Sequence, residues 1–241
     1  VGSIAPIAEI GRKILQYRKN NNTLYPYFHT DACQATNYLD LDVEKLHVDL
    51  MTISASKIYG PKGIGMLYVR RDTPIEPLIL GGGQEKGLRS GTENIAAAAG
   101  FAKALTLVRK MKEKETKHTQ ELANYLWQQI KKSIPDVSLN GPDIGEQRLP
   151  NNLNVSFKGL ENEALLLYLS EYGVMCSAGS ACSSRTLETS HVLKALGKSD
   201  EEARGSIRFS FGKYNTKKEV NYLMKFLPQL VKQLRQMHQV K

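Results

Sequence analysis

Lys57 has the surroundings that point most directly to chemistry. It follows the apolar run at residues 50–54 and precedes Tyr59-Gly60-Pro61-Lys62-Gly63, a turn too tight to be a solvated tail. The carboxyl edge of a parallel sheet is where α/β enzymes place reactive groups. A lysine held there and partly withdrawn from water can form a Schiff base with an aldehyde. The competing reading is an ordinary lysine in a surface turn. Asp31 shifts the balance, because it ends the preceding strand pattern and is followed by Ala32-Cys33-Gln34. A buried carboxylate there can pair with the protonated pyridine nitrogen of pyridoxal phosphate (PLP) and make that ring an electron sink. Gln34 can donate to the ring's phenolate oxygen. Asp31 alone could equally cap a turn. Asp31 and Lys57, each ending a strand of one sheet, are far more specific together.

Three further segments carry candidate chemistry. Residues 81–92 hold Gly81, Gly82, Gly83, Gly87 and Gly91 before a helical pattern. Ser90, Thr92 and the helix start would suit a phosphate, although a flexible loop with a normal cap reads the same way. Cys182 lies in Gly179-Ser180-Ala181-Cys182-Ser183-Ser184. Such small neighbours would leave its thiol unburied and able to reach a bound substrate, take its sulfur and hold it as a persulfide. An inert loop cysteine is the alternative. Arg208, inside the apolar run 206–210, needs an anionic partner, and either a substrate carboxylate or a structural salt bridge would serve. Cys176 reads as core and Cys33 as packed beneath the Asp31 turn; without a third ligand nearby the cysteines do not argue for zinc. His29, His47, His118 and His191 read as structural.

These residues must be positioned by alternating elements. Residues 5–19 carry apolar positions at Ile7, Ile10, Ile14 and Leu15, a helical period. Strands are expected at 25–30, 49–54 and 64–69 with a helical turn at 43–46, an α/β layer with a mostly parallel sheet. From Thr92 to about Ile134 there is no proline and only Gly100, so one long helix or a broken pair is expected there, with Ser90 and Glu93 resembling a capping box. Composition changes near residue 112, which divides a first domain, residues 1–112, from a second, residues 113–241. The second is expected to be a small α+β domain. Its strands should lie at 137–140, 152–157, 173–176 and 206–211, with helices at 161–172, up to Leu196, and after Thr216.

Bulk properties narrow the function classes. At 241 residues, 41% hydrophobic and 24% charged, the chain has the composition of an ordinary globular protein. No apolar run approaches the roughly 18 residues that span a bilayer, and no secretory signal pattern is present. With three cysteines at irregular spacing a disulfide framework is not expected, and a cytoplasmic location is. The net charge of +9 comes without a nucleic-acid motif, so an acidic protein partner is expected before nucleic acid. The chain opens at Val1-Gly2-Ser3 and enters a helix almost at once, the pattern expected of processing or truncation.

Taken together, His29-Thr30-Asp31-Ala32-Cys33-Gln34, Ser54-Ala55-Ser56-Lys57 with Ile58-Tyr59-Gly60-Pro61-Lys62-Gly63, Arg89-Ser90-Gly91-Thr92, Gly179-Ser180-Ala181-Cys182 and Ser206-Ile207-Arg208-Phe209-Ser210 resemble the cysteine desulfurases of the class V aminotransferase family, the IscS and NifS type. The motifs occur in family order over nearly the whole chain. The resemblance implies the fold type I of PLP-dependent transferases, here a partial large domain followed by the small domain. It implies that Lys57 holds PLP and moves protons, Asp31 meets the pyridine nitrogen, and Gln34 meets the phenolate oxygen. Ser54 and Ser56 would lie at the phosphate and ring, and Thr92 would reach the phosphate in a neighbouring subunit of a homodimer. Arg208 would hold the carboxylate of L-cysteine, and Cys182 would take the sulfur, leaving alanine. The sulfur would go to an iron–sulfur scaffold protein or a tRNA-thiolation acceptor. Two departures stand out: Ser56 replaces the usual histidine, and the family's preceding segment, with its phosphate loop, ring-stacking histidine and asparagine, has no counterpart here. A selenocysteine lyase or other class V enzyme, and a non-catalytic binding module, are the rival readings.

Overall fold

A computed structural model describes residues 1–179 and 190–239. By packing, the chain forms two compact units, one of residues 5–113 and one of residues 114–241 together with Val1–Ile4. The division differs from one at residue 112 mainly in its first residues. Ser3 bridges to Arg148, and the Arg148 guanidinium donates to the Val1 carbonyl at 2.8 Å, so these residues pack with the second unit.

In the first unit, α1 (Ile7–Asn20) is followed by β1 (His29–Asp31), α2 (Val43–Leu46), β2 (Leu50–Ser54) and β3 (Gly65–Val69), and the unit ends within α3 (Ile95–Ser133). The sheet order is β1-β2-β3. β1 and β2 are parallel, with Asp31 opposite Thr52, because the intervening chain including α2 is long enough to cross over. β3 runs antiparallel to β2 instead of extending a parallel sheet. The tight Gly60–Gly63 connection can only reverse direction, since a parallel return needs about a dozen residues or more. β1 starts later than the 25–30 run suggests, and Pro26, which lacks an N–H to donate, lies in the part left out.

Alternation along β2 decides which face is which. Met51 and Ile53 are buried against Val48, Ile58, Phe101 and Ala104, while Thr52 and Ser54 lie on the other face with partial exposure. α1 is fixed to this layer by Arg18. Its guanidinium donates to both Asp49 carboxylate oxygens, at 3.2 and 2.5 Å, and the Phe28 N–H adds a bond to the same carboxylate at 2.7 Å. Burial pushes the Asp49 carboxyl up, but the Arg18 bonds, the Phe28 N–H and the Arg18 and Arg70 charges outweigh it and hold it below its ordinary value.

In the second unit β4 (Val137–Leu139), β5 (Asn152–Phe157) and β6 (Ser206–Ser210) form an antiparallel sheet in that order. Among the described residues the rest of α3 precedes the sheet, and α4 (Asn162–Glu171), α5 (His191–Ala195), α6 (Asp200–Arg204), α7 (Lys217–Met224) and α8 (Leu227–Gln239) follow or interleave. β5 is covered on both faces. Leu153, Val155 and Phe157 enter the apolar core with Leu126, Ile130, Leu165 and Leu227. On the opposite side Asn140 Nδ2 donates to Asn154 Oδ1 at 2.7 Å and to Ser156 Oγ at 2.8 Å, a buried and satisfied polar cluster.

Several local expectations are corrected. The run 173–176 is not a strand; only Ser177 bridges, to Arg208. Ser90 and Glu93 do not form the cap of α3, which starts at Ile95 with Ala97 N–H donating to the Asn94 side chain at 3.0 Å. The final helix is two, α7 and α8, with Pro228 in the first turn of the second, where no N–H is needed. Thr216 and Glu219 do form the capping box of α7, and Gly197 follows α5 with φ 76°.

Candidate active site

Asp31 closes β1, and the chain turns at once. The Cys33 N–H donates to Asp31 Oδ1 at 2.9 Å, an aspartate turn that fixes the carboxylate. The Ala32 N–H donates to the Thr52 carbonyl at 2.8 Å and carries the parallel pairing one step further. Asp31 therefore stands at the carboxyl end of β1, beside the corresponding end of β2, with its side chain exposed among the described residues and not buried as expected, since the turn that holds it through the Cys33 N–H leaves it uncovered. The Cys33 N–H and thiol hold its carboxyl below the ordinary value, with the charge of His29 adding to them against a small effect of burial. A carboxylate so held stays ionised, which is what pairing with a protonated ring nitrogen requires.

Cys33 itself is half-buried, and its thiol is pushed up to about 11, by burial first and then by Asp31; the Lys57 ammonium opposes the shift. That opposing influence places Lys57 in electrostatic reach of the Asp31 turn. His29, on the same face of β1, is bonded through Nε2 to Thr52 Oγ1 at 2.8 Å, consistent with a structural role.

Lys57 lies in a single 3₁₀ turn, Ala55–Ile58, directly after β2. The turn is pinned from below by Ala55 and Ile58, both buried, while Ser56 and Lys57 between them are exposed. Tyr59 at φ 63° and the Gly60 N–H bonded to the Ala55 carbonyl at 2.8 Å close it. Lys57 is thus more exposed than a partly desolvated lysine would be, because the described neighbours anchor its backbone and leave the side chain in water. Ser54 and Ser56 bring their hydroxyls to 3.1 Å of each other beside it. Asn37, buried at 5% exposure, donates through Nδ2 to the Lys57 carbonyl at 3.3 Å. Nothing in the residue types marked Asn37 in advance, since a polar residue reveals its burial only through the fold.

The remaining candidates are placed as follows. Gln34 is exposed on the turn after Asp31, and Thr92 is exposed ahead of α3. Around Thr92, Ser90 is buried with its N–H on the Ile79 carbonyl at 3.1 Å, and the Gly91 N–H is taken by the Gln84 side chain at 3.0 Å. The glycine-rich segment is therefore folded on itself, with Gly81, Gly83, Gly87 and Gly91 all at positive φ. Arg208, in the second unit, pairs through its backbone with Ser177, and its Nε is buried with no hydrogen-bond partner among the described residues. Cys176 packs against the second unit's core, as expected, and burial pushes its thiol up to about 11. Cys182 lies outside the described residues.

Asp31, Lys57, Ser54 and Ser56 fit PLP: an ionised carboxylate, an amine and two hydroxyls gather where two parallel strands end. An α/β unit with that edge, followed by an antiparallel sheet with helices, is the organisation of a PLP-dependent transferase of fold type I. The chain belongs to the class-V aminotransferase family, whose model matches residues 1–223. It is 45% identical over 237 residues to cysteine desulfurase IscS of Clostridium botulinum, covering 98% of this chain and 58% of that protein. A solved structure described as a NifS-like protein superposes with a TM-score of 0.84 at 37% identity, over 97% of this chain and 59% of that one. A structure described as SspA in complex with cysteine gives a TM-score of 0.66 at 33% identity, over 90% of this chain and 57% of that one. The chain thus spans somewhat more than half the length of the relatives it matches. Among the described residues no helix is long and apolar enough to cross a membrane.

Proposed function

We propose that the whole protein to which this chain contributes is a PLP-dependent cysteine desulfurase that converts L-cysteine to L-alanine and places the sulfur on Cys182 as a persulfide. The observation that carries the reading is the pairing of Asp31 and Lys57 at one sheet edge, in a chain related to cysteine desulfurases along nearly its full length. Bound PLP supplies an electron sink that weakens bonds at the substrate's α-carbon. Asp31 would keep a negative charge at the ring nitrogen. Gln34 would donate to the phenolate oxygen, Ser54 and Ser56 would lie at the phosphate and ring, and Thr92 would reach the phosphate in the neighbouring subunit. Lys57 would hold the cofactor through Nζ, the group that would also move a proton. Arg208 binds the substrate carboxylate through its guanidinium. The Cys182 thiolate would attack the substrate sulfur: the S–S bond forms as the substrate's Cβ–S bond breaks, the electron pair of that bond stays with the carbon skeleton, and protonation there gives alanine.

The neighbour described with bound cysteine supports L-cysteine as substrate. The names of the relatives favour this reading over a selenocysteine lyase or a binding module. We assign the protein to the cytoplasm as a homodimer whose partner copies share sites, delivering sulfur to an iron–sulfur scaffold or a tRNA-thiolation acceptor. Cys182→Ser is expected to abolish sulfur transfer and keep the visible absorbance of the bound cofactor. Retained sulfur transfer in that variant would remove Cys182 from the reaction, and lost absorbance would place it at the cofactor instead.

A further inference from the structure

The two turns that carry Asp31 and Lys57 come from different strands, and something must hold them in register. The Asp31 turn continues through residues 32–39 and folds back towards the 3₁₀ turn after β2. Asn37 sits where the two meet. It is buried, and its Nδ2 donates to the Lys57 main-chain carbonyl at 3.3 Å. Its own Oδ1 is buried and has no hydrogen-bond partner among the described residues. Leaving an amide oxygen unsatisfied in the interior is unfavourable, so an apolar side chain of similar size would suit the core better. What the amide provides is the bond to the Lys57 backbone.

We propose that Asn37 is a positioning residue for Lys57: its amide ties the cofactor-bearing turn to the turn that presents Asp31. This rests on the reading of Lys57 as the residue that holds PLP. The 3₁₀ turn is also held by buried Ala55 and Ile58, by the Ala55 N–H on the Ile64 carbonyl at 3.2 Å and the Gly60 N–H on the Ala55 carbonyl, and by the Ser54–Ser56 hydroxyl contact at 3.1 Å. Its position along the sheet edge is set by the side contact from Asn37. Without that bond the turn keeps its shape and Lys57 samples a wider range of positions relative to Asp31.

The test compares the whole protein with its Asn37→Asp and Asn37→Ala variants. The first keeps the shape but not the donor, and the second removes both. Pyridoxal phosphate is added to the apoprotein, and borohydride-trapped label is followed on the Lys57 peptide by mass spectrometry. Lys57 labelling about tenfold slower in both variants, with kcat lowered and the KM for L-cysteine unchanged, supports the proposal, the factor being that of one lost hydrogen bond. Unchanged labelling with label on Lys57 in all three proteins overturns the positioning role while the cofactor reading stands. Label on another lysine in the unsubstituted protein overturns both. Should neither variant fold, amide exchange in the unsubstituted protein decides: a protected Asn37 side-chain proton supports the bond, and exchange at the free-amide rate overturns it.

Discussion

A thiol reacts as its thiolate, and burial sets the two described cysteines, Cys33 and Cys176, against that role. Cys33 and Cys176 are both pushed up to about 11, burial being the main cause in each, from an ordinary value of 9.0. Their protonated forms therefore contribute stability that is fully present below pH 9 and lost as pH rises through about 11. Alkylation by iodoacetamide, mapped by mass spectrometry against pH, is expected to find both slow at neutral pH and Cys182 modified first. Modification of Cys33 before Cys182 would contradict the assignment of roles. At this scale much was legible: Asp31, Lys57 and Arg208 stood out as charged residues in or beside apolar strand patterns. Asn37 and the Cys33 contribution to the Asp31 turn were not, because both depend on which backbone atoms the fold brings within hydrogen-bonding distance.

Elements hold their neighbours still, and two contacts show how. Arg18 and Asp49 are nearly buried, with side-chain exposures of 11% and 7%, and link α1 to the start of β2. Arg18→Ala should cost about 3–5 kcal/mol in denaturant unfolding, since it leaves a buried charge unpaired. A cost below about 1 kcal/mol would mean the pair is solvated in solution. In the second unit, Gly205 between α6 and β6 lies so close to β5 that an added Cβ would clash with the Phe157 carbonyl oxygen. Gly205→Ala is expected to lower the thermal midpoint markedly, and Phe157→Ala, at 0% exposure, to cost about 3–5 kcal/mol. The apolar patterns revealed β2 and α3, each of which buries one face or stripe, and the apolar runs revealed β5 and β6, which are buried along most of their length; β3, whose residues are exposed or half-buried, was marked by its apolar run after the Gly60–Gly63 turn. Such patterns could not reveal α6, whose five residues are too short to show a period, although Ser199 and Glu202 form the capping box that starts it. The antiparallel course of β3 follows from the length of one turn, and the break before α8 from Pro228; both were present in the sequence as single residues rather than as patterns.

For the whole molecule, the proposed function places the cofactor at one sheet edge of the first unit and the sulfur on Cys182 of the second. Alanine release from L-cysteine should exceed that expected of an enzyme selective for selenocysteine, and assay with both substrates separates the two. Removing PLP from the whole protein should abolish alanine release and leave the second unit's sheet intact, as read by circular dichroism. The most direct test of the central claim is to record the visible spectrum of the purified whole protein, reduce it with borohydride, and map the modified peptide. The account predicts a visible band that disappears on reduction, with the cofactor mass on the Lys57 peptide, and loss of that band in Asp31→Ala. A cofactor fixed to any other lysine, or a band indifferent to Asp31, would contradict it.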